Sequence, residues 1–202
     1  MAVLRAVIFL CLLVLSAHAG PVRSVVVDAG HGGFDHGITA PSGPTGRGIK
    51  EKDFALRVAL ALETALKEEF KTVRLTRRTD RQLSFKERTP EGADIFISIH
   101  ASLSDSPSVY IAWYPEGDAP AKEEYRLESR QRRFLPQSRE LAGAVTEALK
   151  GEFKTIVSVK EMPLPVLGSA GAPALLIEVP LGWDASKAAR AILKGIHLYE
   201  GK

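Results

Sequence analysis

The chain has 202 residues, of which 45% are hydrophobic and 25% are charged. This length suits one domain with a full core and leaves too little chain for two comfortable domains. The formal net charge of +3 is small, so the composition does not favour nucleic acid as a partner, and we expect none.

The first nineteen residues have the layout of a secretory signal peptide. Residues 1–19 carry one charge, Arg5, then an apolar run at 6–15 and an Ala-x-Ala pattern at the end. We expect this segment to be removed on export, so that 20–202 forms the mature domain in the periplasm or cell envelope without a stable membrane span. An uncleaved N-terminal anchor is the alternative, although the run is short for a bilayer span. Cleavage would also remove Cys11, the only cysteine, and with it any disulfide or thiol nucleophile.

The mature chain begins with a strand, a long loop and a helix. A β-branched run at 23–28 predicts a buried strand, and 32–50 is a loop rich in Gly, Pro, Ser and Thr. Apolar residues then recur every four positions from Phe54 to Phe70, which predicts a helix over 52–70.

Strands and helices continue to alternate to the end of the chain. The other strands are predicted from short apolar runs at 72–76, 94–100, 109–114, 155–159 and 174–179. The other helices are predicted at 84–92, at 138–150 with Ser138 as N-cap, and after Asp184 as N-cap. Because the strands are apolar on both faces, we predict an α/β fold. It is a single layered domain with a mostly parallel central sheet of about six strands flanked by helices.

Two groups of polar residues are expected at the surface. The arginines of one group are interpreted as solvated charge; they are Arg77, Arg78, Arg81, Arg130, Arg132 and Arg133. The polar stretch 115–136 is predicted to be an inserted loop or a small irregular helix.

Residues suited to zinc stand where predicted elements meet loops, and functional groups gather at such points in open α/β sheets. His31 lies three residues after the first strand, Glu51 precedes the long helix, and His100 ends an apolar strand. Two imidazoles and one carboxylate, with a fourth position open, are the coordination of a catalytic zinc ion. Glu178 lies near the end of the last strand, where a layered fold can bring it to the same edge.

Each candidate also has a structural alternative. A histidine that ends an apolar strand is, by itself, more often a packed residue, and Glu51 could serve only the helix dipole. Glu178 has apolar neighbours, where a carboxylate is costly unless it is paired or functional. Asp28 is a candidate to accept the second ring N–H of a ligating histidine. A phosphate-binding loop is disfavoured, since both the Gly-x-Gly-x-x-Gly pattern and the P-loop lysine are missing.

Five ordered blocks carry a family resemblance that runs from about residue 23 to the C-terminus. They are Asp28-Ala-Gly-His31-Gly-Gly-Phe-Asp35-His-Gly37, Gly48-Ile-Lys-Glu51-Lys-Asp53, Leu75-Thr-Arg77-Arg-Thr-Asp80, Ala93-Asp-Ile-Phe-Ile-Ser-Ile-His100-Ala101 and Pro173-Ala-Leu-Leu-Ile-Glu178. In this order the blocks resemble the zinc-dependent N-acetylmuramoyl-L-alanine amidases of the amidase-3 type.

The resemblance implies a function and a role for each residue. His31, Glu51 and His100 match the family's zinc ligands, and Glu178 matches its catalytic glutamate. The family cleaves the amide between the lactyl group of N-acetylmuramic acid and the L-alanine of the stem peptide. Zinc would activate water and polarise the carbonyl, and Glu178 would pass the water's proton to the leaving nitrogen.

The chain also departs from the family pattern. Position 102 is Ser instead of the usual Asn, and Glu178 is followed by Val-Pro-Leu instead of Gly-Phe. The segment after His100 lacks a Gly-x-Glu-Thr pattern. These differences are expected to affect substrate preference more than catalysis. Some family members carry a helix that plugs the site until a partner withdraws it, and 115–136 stands where such an insert would be.

The resemblance implies peptidoglycan as substrate and an envelope activator protein as a partner; we expect a monomer. A zinc hydrolase acting on another peptide or amide is an open alternative. A non-catalytic relative that binds peptidoglycan is a second one, although the presence of all four chemical residues argues against it.

Overall fold

The computed structural model describes residues 21–41, 48–88, 91–114 and 130–201. The predicted leader at 1–19 and most of the predicted insert at 115–136 lie outside these residues. The strands are β1 (Ser24–Ala29), β2 (Thr39–Ala40), β3 (Ile49–Lys50), β4 (Thr72–Leu75), β5 (Ile95–Ser102), β6 (Ser108–Ala112), β7 (Ser158–Met162) and β8 (Ala174–Pro180). The helices are α1 (Glu51–Lys67), α2 (Phe85–Arg88), α3 (Leu135–Phe153), α4 (Pro165–Gly168) and α5 (Ala185–Glu200), with a 3-10 helix at Arg130–Phe134.

Six strands form one sheet in the order β4-β1-β5-β8-β6-β7. The strands β4, β1, β5 and β8 are parallel, whereas β6 is antiparallel to β8 and parallel to β7. The prediction of a mostly parallel sheet of about six strands is therefore confirmed. In this order β8, the last strand of the chain, lies between β5 and β6.

The three long helices α1, α3 and α5 contribute to the larger apolar core on one face of the sheet. Alternate residues of β1, including Val25 and Val27, are fully buried in this core with Leu62 of α1 and Ile192 of α5. Because successive side chains of a strand point to opposite faces, Asp28 lies on the other face. That second face carries a smaller core around Phe96, Tyr110 and Leu167, and polar side chains stand at its edge.

The start of α3 differs from the prediction. The helix begins at Leu135 with Pro136 in its first turn, so Ser138 is not the N-cap. Ser138 is fully buried; its hydroxyl donates to Gln131 Oε1 over 2.7 Å and accepts from the backbone N–H of Ala174 over 2.9 Å. Serine is common at helix N-caps, but Ser138 makes hydrogen bonds with residues outside its own helix instead. The local sequence pattern does not reveal such partners.

The other predicted boundaries agree to differing degrees. The strand predicted at 155–159 lies further along, at Ser158–Met162, and is exposed along its length at the edge of the sheet. Asp184 is confirmed as the N-cap of α5, because its carboxylate accepts from the backbone N–H of Lys187 over 2.6 Å. No helix in the described part of the chain combines the length and apolar character needed to cross a bilayer.

Candidate metal centre

Three elements bring two histidines and a glutamate together at one edge of the sheet. His31 follows β1, His100 lies in the neighbouring strand β5, and Glu51 is the first residue of α1. Because β1 and β5 are parallel, their carboxyl ends meet at the same edge. The prospective ligand atoms of the three residues all lie within 4.8 Å of one another. The three predicted metal ligands are therefore neighbours in space.

Glu51 lies at the centre of this group. Its Oε1 is 3.0 Å from Nε2 of His31 and 3.0 Å from Nδ1 of His100, and it accepts from the backbone N–H of Ala101. Its Oε2 accepts from the backbone N–H of Ile38 over 2.9 Å. Burial tends to raise the pKa of Glu51, but its hydrogen bonds with His100 and His31 outweigh burial and hold the pKa far below its usual range. The carboxylate is thus ionised, as a metal ligand must be.

His31 is held from its other side by an aspartate. Its Nδ1 lies 2.9 Å from Oδ2 of Asp35. Burial tends to lower the pKa of His31, but the carboxylates of Glu51 and Asp35 outweigh this effect and leave the pKa raised. A carboxylate on the second ring nitrogen is the usual support for a metal-bound histidine. Asp28 was the candidate for this role, and that prediction is wrong: its oxygens accept from Arg88, Thr76 and Ser98.

The donor set and its spacing fit a small divalent metal ion. Nitrogen and oxygen atoms bound tetrahedrally at about 2.0–2.2 Å stand roughly 3.3–3.6 Å apart. This separation falls between the 3.0 Å contacts around Glu51 and the 4.8 Å within which all three ligand atoms lie. Glu51 is 4% exposed, whereas the side chains of His31 and His100 are about one fifth exposed. The group is therefore closed on the protein side and open to solvent on the other. His36 is exposed and takes no part in it.

Glu178 lies on the strand next to His100. The two residues are directly paired between β5 and β8, so their side chains share one face of the sheet. Glu178 is also paired with Ser108 of β6 on its other side. Its carboxylate accepts a hydrogen bond from the hydroxyl of Tyr110 over 2.8 Å. The structure thus brings the fourth predicted site residue to the edge that carries the three ligand candidates.

Comparison with known proteins identifies the family. A family model described as N-acetylmuramoyl-L-alanine amidase (Amidase_3) matches residues 25–196, most of the chain. The chain belongs to this amidase family. It is 37% identical over 102 residues to the sporulation-specific N-acetylmuramoyl-L-alanine amidase of Bacillus subtilis strain 168. The matched segment covers 48% of this chain and 38% of that relative, so the chain spans well under two thirds of the relative's length.

Solved structures support the fold of this amidase-family domain. The CwlD amidase from Clostridioides difficile, solved in complex with the GerS lipoprotein, superposes with a TM-score of 0.68 at 23% identity. The similarity covers 89% of this chain and 98% of CwlD. The catalytic domain of CwlV from Bacillus (Paenibacillus) polymyxa var. colistinus superposes with a TM-score of 0.66 at 26% identity, over 88% of this chain and 98% of that domain.

Two buried arginines hold the loop that presents His31 in this amidase-family domain. Arg77 donates to the carbonyl oxygens of Ala29, Gly30 and Lys52, and is 2% exposed. Arg88 donates to the carbonyl oxygens of Ala29 and His31. The expectation that Arg77 is solvated surface charge is therefore wrong. Its guanidinium is a buried hydrogen-bond donor to backbone carbonyl groups at the end of β1 and at the start of α1.

A second clamp fixes the glycine turn after His31. The ammonium of Lys52 donates to the carbonyl oxygen of Gly33 and to Oδ2 of Asp80, both over 2.7 Å. Oδ1 of Asp80 in turn accepts from the backbone N–H of Gly33 over 2.7 Å. The hydrogen bonds with Lys52 and Gly33 hold the pKa of Asp80 below its usual value. The amidase-family blocks around residues 33, 52 and 80 therefore meet in one hydrogen-bonded group.

Proposed function

We propose that this chain hydrolyses the amide bond between N-acetylmuramic acid and L-alanine of the peptidoglycan stem peptide. The observation that carries the proposal is the pairing of Glu178 with His100 on adjacent strands, beside a His–Glu–His group of metal-ligand geometry. An exposed metal-ligand group next to a separate carboxylate is the arrangement that metal-assisted amide hydrolysis needs. Family membership supports the same bond as the target.

His31, Glu51 and His100 would hold the metal ion, for which we propose zinc. When bound, zinc would polarise the amide carbonyl and lower the pKa of water to about 7. Glu178 accepts a proton from the attacking water while the water oxygen bonds to the carbonyl carbon. It then delivers that proton to the nitrogen of L-alanine as the carbon–nitrogen bond breaks. The products are the lactyl carboxylic acid and a stem peptide with a free amine.

We also propose that the protein acts outside the cytoplasm. The layout of residues 1–19 supports removal of a signal peptide, and peptidoglycan lies in the envelope. The complex of CwlD with GerS supports an envelope protein as a partner for a domain of this fold. We propose that the domain is a monomer when no partner is bound.

Digestion of purified peptidoglycan tests the function directly. The purified protein is incubated with peptidoglycan with and without added zinc, beside Glu178→Ala and the exposed control Glu147→Ala. We expect zinc-dependent release of intact stem peptides with a free L-alanine amine, lost in Glu178→Ala and kept in Glu147→Ala. Mass spectrometry identifies the fragments.

The other outcomes separate the alternatives. Cleavage at a different amide would show another zinc hydrolase. Zinc binding and peptidoglycan binding without any released peptide would show a non-catalytic relative. Failure to bind zinc would refute the assignment of the three ligands.

A further inference from the structure

A row of polar side chains crosses four adjacent strands beside the metal centre. His100 of β5 is paired with Glu178 of β8, Glu178 with Ser108 of β6, and Tyr110 of β6 with Lys160 of β7. Directly paired residues and residues two positions apart share a face of a sheet. All five side chains therefore lie on the face that carries the metal-ligand group.

Hydrogen bonds connect the last four members of the row. The hydroxyl of Tyr110 is 2.8 Å from Oε2 of Glu178, and Nζ of Lys160 is 3.3 Å from the same hydroxyl. Nζ of Lys160 also lies 3.2 Å from Oγ of Ser108 and 5.1 Å from the centre of the Tyr110 ring. Tyr110 is 7% exposed, so its ring is fixed in the smaller core while its hydroxyl reaches the site.

The chemistry of these groups sets the direction of each hydrogen bond. An ammonium group can only donate, and an ionised carboxylate can only accept. The Tyr110 hydroxyl must therefore accept from Lys160 and give its single proton to Glu178. The described residues place a donor on Oε2 of Glu178 and none on Oε1. One carboxylate oxygen is thus anchored and the other is left for the reacting water.

We propose that Tyr110 is a positioning residue for Glu178, and that Lys160 orients the Tyr110 hydroxyl. The inference rests on the proposed amidase function and adds residues that the family blocks do not include. Tyr110 acts through Glu178 and does not need to touch the substrate. Its loss should therefore lower kcat and leave KM unchanged, since misplacing a reacting group costs transition-state stabilisation without weakening substrate binding.

The test compares Tyr110→Phe with Tyr199→Phe, a matched removal of one hydroxyl in α5. Tyr199 lies near the end of α5, far from Tyr110 in the sequence. Its hydroxyl has no hydrogen-bond partner among the described residues. We expect Tyr110→Phe to lower kcat about tenfold or more with KM within twofold, as for the loss of a hydrogen bond to a charged group. Tyr199→Phe should match the wild type. Lys160→Met should lower kcat by a smaller factor than Tyr110→Phe, and Lys160→Arg, which keeps the donors, should lose less than Lys160→Met.

A double-mutant cycle separates positioning from a general loss of structure. In a Glu178→Ala background, Tyr110→Phe should cause no further loss of the residual rate. An equal loss in both backgrounds, an unchanged kcat, or a change in KM alone would overturn the proposal.

A spectroscopic measurement tests the link between Tyr110 and Glu178 without an activity assay. In protein labelled with carbon-13 at the tyrosine Cζ atoms, Glu178→Ala should move the Tyr110 signal and leave that of Tyr199 in place. An unmoved Tyr110 signal would overturn the proposal whether or not peptidoglycan is cut. If the wild type releases no stem peptide while this signal moves, the amidase function fails and the link between Tyr110 and Glu178 stands.

Discussion

Arg77 and Arg88 donate hydrogen bonds to the same carbonyl oxygen, that of Ala29, over 2.9 Å in each case. Two like charges thus meet at a point two residues before His31, with the buried carboxylate of Asp28 as the neighbouring counter-charge. They satisfy the backbone where it leaves β1 and turns into the left-handed conformation of His31, whose φ is 58°. The position of a metal-ligand candidate therefore depends on side chains that lie beneath it.

Arg88→Met should destabilise the protein strongly. The change leaves Asp28, which is fully buried, without its 2.8 Å ion pair. It also removes the donor to the carbonyl oxygen of His31 and one of the two donors to that of Ala29. Removing one partner of a buried pair costs about 3–5 kcal/mol, and we expect a fall of about 3 kcal/mol in the free energy of unfolding, measured by urea denaturation. Arg81→Met is the matched control. Its ion pair with Glu87 is exposed and should contribute at most about 1 kcal/mol. Equal losses in the two variants would contradict this interpretation.

His31→Ala should abolish the stabilisation of the protein by zinc. A metal ion that binds only the folded state stabilises it by about 2.7 kcal/mol at a free concentration one hundred times Kd. Thermal unfolding with and without zinc measures this effect, and calorimetry gives the stoichiometry. The wild type should bind one equivalent, and His36→Ala should do the same, because His36 is exposed and outside the ligand group. If His36→Ala lost zinc as well, the ligand assignment would be wrong.

Gly30→Ala should weaken zinc binding by about tenfold or more. A Cβ atom at position 30 would stand 2.5 Å from Nε2 of His100, well inside contact distance. The imidazole would have to leave its present position, in which Nδ1 lies 3.0 Å from Glu51. Substitution of a residue that supports a metal ligand typically changes metal affinity by about 10–100-fold. Gly182→Ala, where nothing lies within 4 Å of the added atom, is the control. Equal zinc affinities for the two variants, measured by competition with a chelator, would disprove the argument.

Substitution of two helical glycines by alanine should change the free energy of unfolding in opposite directions. Gly143 of α3 is exposed with open space around it, so Gly143→Ala should raise the free energy of unfolding by about 0.5–1 kcal/mol. Gly195 of α5 faces the backbone of Val145 in α3, and a Cβ atom there would lie 2.5 Å from Val145 Cα. Gly195→Ala should therefore lower the free energy of unfolding by about 1–3 kcal/mol through overpacking. Denaturation of both variants in parallel checks the sign of each change.

The parts of the fold that follow from local pattern could be predicted. Apolar runs of strand length and the period of α1 depend on residues that are near one another in sequence. His31, Glu51, His100 and Glu178 could be singled out because each lies within two residues of the end of such an element.

The local sequence pattern could not identify residues whose role depends on contacts with residues elsewhere in the fold. Arg77 and Arg78 are adjacent in the chain, yet Arg77 is buried against carbonyl groups and the side chain of Arg78 is 54% exposed. Nothing local distinguishes them. Asp35 was part of a recognised block, but its contact with His31 depends on the turn through two glycines. Tyr110 could have been suspected only from the register of β6 against β8.

Because β8 lies in the middle of the sheet, the candidate site combines residues from distant parts of the chain. The three ligand candidates lie in the first 100 residues of the chain, and β5 and β6 are both formed before residue 113. Glu178 belongs to Ala174–Pro180, the strand that lies between those two. Pairing between strands that are far apart in the sequence is generally slow to form during folding. A chain that ended before residue 174 would therefore carry all three ligand candidates and lack the proposed proton carrier.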